Sequence, residues 1–123
     1  AELDTMLAET SDPVRCLHLY PNTFRRSLED GNRLCLCSFM SAEYANLPEV
    51  VQRETQGFAD VNIAWLGKVL VMAGMVTPEE SEARARAIFA AVSGAQLFAR
   101  SRSDISQFDT LIESYRASGL LPA

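Results

Sequence analysis

The chain is short of most residues that carry chemistry. It has one histidine and three cysteines among 123 residues. The single histidine, His18, has no partner spacing that suggests a catalytic triad. No H-E-x-x-H, Glu-x-x-His, G-x-S-x-G or phosphate-cradling glycine loop occurs. An odd cysteine count does not make a disulfide framework and fits a reducing, cytoplasmic setting. Positive charge is also scarce, with 11 Lys and Arg against 16 Asp and Glu, a net charge of −5. Such a chain does not hold nucleic acid or anionic lipid by bulk electrostatics. No apolar run reaches the roughly 20 residues a bilayer requires. The longest, residues 61–76, is interrupted by Asn62 and Lys68. Ala1-Glu2-Leu3-Asp4 lacks the basic start of a secretory signal. A start at Ala1 is expected of a trimmed initiator Met or of the C-terminal piece of a longer chain.

Helix signals fill what remains. Hydrophobic residues make up 48% of the chain, enough for a single packed domain and too few residues overall for two. Leu3, Met6 and Leu7 share one side of a short first helix. Asp12-Pro13 is a helix start, with Asp12 as N-cap and Pro13 at the first position. Val14, Leu17, Phe24 and Leu28 keep a helical period, which Pro21 is expected to kink or break. Gly31 supplies a left-handed stop. Residues 33–46 read as helix because they carry no β-branched side chain. Pro48 opens a long helix whose stripe runs Val51, Thr55, Phe58, Asn62, Trp65, Val69, Met72 and Val76, with Gly74 near its end. Thr77-Pro78-Glu79-Glu80 has the form of a capping box. Glu80–Arg84 and Glu82–Arg86 follow at the spacing of ion pairs. Ser103 or Asp104 caps a last helix carrying Ile105, Phe108, Ile112 and Tyr115, closed by Gly119 and Pro122. The expected fold is all-α, a single domain of five or six helices over residues 1–123.

Cys16, His18, Cys35 and Cys37 are the only set resembling zinc ligands. Residues two apart on a helix diverge by about 200°, so each pair points apart, and no metal site is expected. Cys35 and Cys37 follow Arg33 in the first turns of a predicted helix, where a thiol pKa falls. They are the candidate reactive thiols, although free cysteine usually just packs.

Two apolar features stand out. Phe39, Met40, Tyr44, Phe58, Trp65 and Met72 form an aromatic and methionine stripe, with Asn62 on the same face. Such a stripe is either filled core or the lining of a small-molecule pocket with a few polar anchors. The second feature is a ladder of Ala87, Ala91, Ala95 and Ala99, with Gly94 beside it. Small side chains admit a close helix, either from the same chain or from a second copy.

Cys35-Leu36-Cys37 through Ser41-Ala42-Glu43 and Leu47-Pro48 resembles the middle of TetR/AcrR-family transcriptional regulators. So do Ser93-Gly94-Ala95, Leu97-Phe98-Ala99-Arg100 and the closing helix after Asp104. The resemblance runs from about Pro13 onward. It implies a ligand-binding and dimerisation domain, whose last two helices form a four-helix bundle between two copies. It also implies an N-terminal helix-turn-helix head, which this chain lacks, with residues 1–10 as a remnant of the connecting helix. DNA would be bound only through that head. On this reading a small apolar or aromatic effector relieves repression, and no enzyme activity, cofactor or membrane contact is expected. The pocket residues would be Phe24, Met40, Tyr44, Trp65, Val69, Met72 and Phe89. The dimer residues would be Ala91, Ala95, Phe98, Phe108, Leu111 and Tyr115. Cys35 occupies the place where some family members carry a sensing thiol, so a redox or electrophile sensor in the same fold is the alternative. A helical interaction module without ligand is another.

Overall fold

The computed structural model of the chain describes residues 2–32 and 43–122. Among these it contains six α-helices, one 3₁₀ turn and no strand, so the fold is all-α. The helices are α1 (Glu2–Thr10), α2 (Pro13–Leu19), α3 (Asn22–Glu29), α4 (Glu49–Met72), α5 (Ser81–Arg102) and α6 (Ile105–Ala117). The 3₁₀ turn spans Tyr44–Asn46, where the sequence pattern had continued a helix. The rest of the helix expected over residues 33–46 lies outside the described residues.

Local chemistry explains most boundaries. The Asp12 carboxylate accepts from the Val14 N–H at 3.1 Å and the Arg15 N–H at 3.4 Å, and Pro13 follows as the first helical residue. Pro21 separates α2 from α3 rather than bending one continuous helix. Gly74, at φ +72°, closes α4. The Met75 N–H returns to the Leu70 carbonyl at 3.1 Å and the Gly74 N–H to Val71 at 3.0 Å, the two bonds of a Schellman stop. Gly119, at φ +85°, ends α6 in the same way. Asp104 caps α6, accepting from the Ser106 N–H at 3.0 Å and the Ser106 hydroxyl at 2.6 Å.

The start of α5 differs from its expected form. Glu80 reaches back as a capping box requires, accepting from the Thr77 N–H at 3.0 Å. The Thr77 hydroxyl, however, donates to the same carboxylate oxygen at 3.0 Å. The intervening residues form a turn, and α5 begins only at Ser81. Glu82 and Arg86 make their expected ion pair at 2.7 Å. Arg84 reaches across to the Gly119 carbonyl at 3.3 Å.

These bonds make the caps sensitive to pH. Hydrogen bonds from Ser106 hold the Asp104 carboxyl below its ordinary range, and those from Thr77 do the same for Glu80. A group whose folded pKa is depressed stabilises the fold above its unfolded pKa and loses that contribution as pH falls through the folded value. Stability, followed by the urea midpoint, is expected to drop as pH falls below the ordinary carboxylate range. Asp104→Asn keeps a capping oxygen but cannot titrate there, so its drop is expected to be smaller. Parallel pH profiles for the two proteins would remove Asp104 from this account.

α5 is the central helix and packs against α4, α6 and α3. α2 lies on α4 and α1, and α3 also touches α6. The core draws on all of α2 to α6, from Leu17, Tyr20 and Phe24 to Leu66, Leu70, Ile88, Val92 and Phe108. After α6 the chain turns inward, and Leu121 is buried in this core. Charged bonds strap α6 to the N-terminal helices. Arg25 grips both Asp109 carboxylate oxygens, at 2.8 and 3.0 Å, and also bonds Glu29 at 2.7 Å. The Asp109 bonds hold the guanidinium charged against its partial desolvation. Arg116 donates to the His18 carbonyl at 3.2 Å.

Candidate functional site: an aromatic interior and an uncharged outer face

Four predicted pocket residues, Phe24, Trp65, Val69 and Phe89, gather in the interior near Tyr20, a residue the sequence reading missed. Tyr20 stacks on Trp65, with ring centroids 5.9 Å apart and planes at 23°. It also meets Phe24 edge-on at 5.7 Å, and Phe24 meets Phe89 at 6.2 Å. Val69 is fully buried in the same core. The Tyr20 hydroxyl donates to Asn62 Oδ1 at 2.8 Å, and the Asn62 amide donates to the Phe58 carbonyl at 3.0 Å. Gln96, fully buried on α5, donates to the Phe24 carbonyl at 2.8 Å. Two signals in the sequence pointed here. Tyr20 stands four residues before Phe24, and Gln96 is a lone amide between Val92 and Ala99 on an apolar face.

Other predicted pocket residues lie apart from this cluster. Met72 is 54% exposed. Tyr44 is half-buried at the far end of α4, where its carbonyl accepts from Gln52 at 2.8 Å and its hydroxyl accepts from Gln56. The reason is length. α4 has 24 residues and spans roughly 36 Å, whereas α2, with seven, covers only about 10 Å of it. The apolar stripe continues past its partner, leaving Phe58 and Met72 in solvent while Trp65 between them is covered. Met40, Cys35 and Cys37 lie outside the described residues. Cys16 is buried, and among the described residues no group of three His, Cys, Asp or Glu side chains is placed to hold a metal ion.

The dimer residues divide similarly. Ala95 is 0% exposed and Phe108 is 1% exposed, so both pack inside the chain's own core and neither can meet a second copy. Their assignment to the seam is corrected. Each four-residue step on a helix turns 400°, so an i+4 ladder drifts about 40° per step. Over three steps the alanine ladder rotates from solvent at Ala87, through half-buried Ala91, to buried Ala95 and Ala99. Leu111 and Tyr115 are half-buried, and burial pushes the Tyr115 phenol above its ordinary pKa. Phe98 is 40% exposed, with the Arg102 guanidinium 4.9 Å above its ring. The face of α5 opposite the core consists of Ala83, Ala87, Ala90, Gly94, Leu97 and Phe98, all exposed and none charged.

A separate surface cleft of about 390 Å³ lies between α4 and the first turns of α5, lined by Asp60, Ile63, Gly67, Lys68, Ser81 and Arg86 among others. It contains none of the predicted pocket residues. No protein-family model matches the chain, and no curated protein or solved structure matches it significantly. The likeness to TetR/AcrR regulators therefore rests on the residues quoted above. No helix among the described residues is long and apolar enough to cross a membrane.

Proposed function

We propose that this chain is the effector-binding and dimerisation domain of a TetR-like transcriptional repressor acting in the cytoplasm. The observation that carries the reading is the outer face of α5. Over about 27 Å of helix, from Ala83 to Ser101, it presents small and apolar side chains and no charge. Charged residues are confined to its flanks, as at Arg86 and Arg102. An uncharged stripe of this length is unusual for a helix surface turned toward water. It suits a second copy of the same helix related by a two-fold axis.

The aromatic interior supports the sensing half of the proposal. Tyr20, Phe24 and Trp65 lie on α2 to α4, and Gln96 ties the backbone of that region to α5. A molecule lodged among these rings would bear on the helix that carries the outer face. Its leverage over a DNA-binding head outside this chain equals its difference in affinity for the two dimer geometries. Light scattering at several concentrations, with reductant present, tests the seam. A mass of twice the 13.5 kDa of one chain is expected. A monomer at every concentration would overturn it.

A further inference from the structure

Trp65 carries a feature that its packing leaves unexplained. The residue is only 5% exposed, yet its buried indole N–H has no hydrogen-bond partner among the described residues. The nearby polar groups donate elsewhere: the Tyr20 hydroxyl to Asn62, the Asn62 amide to the Phe58 carbonyl and the Gln96 amide to the Phe24 carbonyl. Buried donors are nearly always satisfied by protein, water or ligand. A buried water needs two to four polar partners. The buried polar side chains among the described residues are Thr55, Asn62 and Gln96, and each already donates to a backbone carbonyl.

Resting on the effector-binding reading above, we infer that Trp65 Nε1 donates to a neutral acceptor oxygen on the effector. The effector is then a largely apolar molecule bearing a ketone, ester or amide carbonyl. Neutrality follows from the surroundings. Among the described residues the buried polar side chains are Thr55, Asn62 and Gln96, none of them charged, so a carboxylate or phosphate would be buried without a counter-charge. A carbonyl is desolvated at far smaller cost and can accept the indole N–H.

Trp65 is the only tryptophan, so one indole N–H resonance reports on this site in the ¹⁵N-labelled chain. Three probes separate the alternatives: 2-acetonaphthone, its hydrocarbon isostere 2-isopropenylnaphthalene, and 2-naphthoate. The ketone is expected to bind about tenfold more tightly than either of the others, the ratio that one net hydrogen bond supplies. It alone should move the indole proton downfield. Trp65→Phe keeps an aromatic ring without the donor and should reduce the ketone to the affinity of the hydrocarbon. If that variant does not fold, the indole resonance of the unsubstituted chain decides. Equal binding of ketone and hydrocarbon with an unmoved indole proton would overturn the acceptor assignment while leaving an apolar pocket in place. A cross-peak from the indole proton to bound water that persists under saturating ketone would overturn it as well. Failure of all three probes to bind would overturn both this inference and the pocket, and would leave the dimer seam, measured by mass, untouched.

Discussion

Ala95→Arg is expected to abolish the cooperative unfolding transition of the chain. Ala95 is fully buried, on the face of α5 that packs against the rest of the core. An arginine there overfills the space and carries its charge into an interior with no partner. Overpacking and an unpaired buried charge are among the few mechanisms that cost more than about 4 kcal/mol. A domain of this size is stable by about 5–15 kcal/mol in total. Circular dichroism against urea measures the loss. Gly94→Arg is the companion variant. A side chain at Gly94 meets nothing within 4 Å, so its fold is expected to survive while its mass falls to that of one chain. If Ala95→Arg keeps a native midpoint, the placement of this helix face in the core is wrong. If Gly94→Arg remains dimeric, the outer face of α5 is not the seam.

Phe108→Ala is expected to cost about 3–5 kcal/mol, the range for deleting a buried aromatic ring. Phe108 is 1% exposed and holds α6 in the core. The urea midpoint should fall steeply, with little change in slope. Phe98→Ala serves as the contrast. Its ring is 40% exposed and touches Arg102, so its removal should change the stability of the monomer by no more than about 1 kcal/mol. It should weaken self-association instead. Reversal of these two outcomes would exchange the roles of the residues and return Phe108 to the seam.

Both predictions turn on which way a side chain faces, and here the sequence was least informative. Ala95 and Phe98 are three residues apart and belong to one apolar stretch. Periodicity identifies the stretch as helical but does not say which of its two faces meets the chain's own core. That depends on where α3, α4 and α6 lie around α5. The alanine ladder misled for a related reason, because regular spacing in sequence becomes a slow spiral on a helix. Met72 and Tyr44 stand apart from the aromatic cluster because α4 is much longer than the helix that covers it. Tyr20 escaped notice because it stands at a helix break, next to Pro21, and gains its role only from Trp65 and Asn62, more than forty positions away.

The boundaries were legible for the opposite reason. Asp12 with Pro13, the break at Pro21, the left-handed Gly74 and Gly119, and the Asp104 cap act through bonds to residues within a few positions. Their chemistry does not wait for the tertiary fold. The all-helical class follows in the same way, from helical periods that recur along the chain. The sequence alone therefore sets where most helices start and stop, and the all-α class of the described residues. Only the tertiary structure decided which apolar residues fill the core, which remain on the outer face of α5, and that a buried indole N–H at Trp65 is left without a partner among the described residues. Caps and stops are short-range hydrogen bonds and backbone preferences. Burial is a property of neighbours that the chain brings together from far apart.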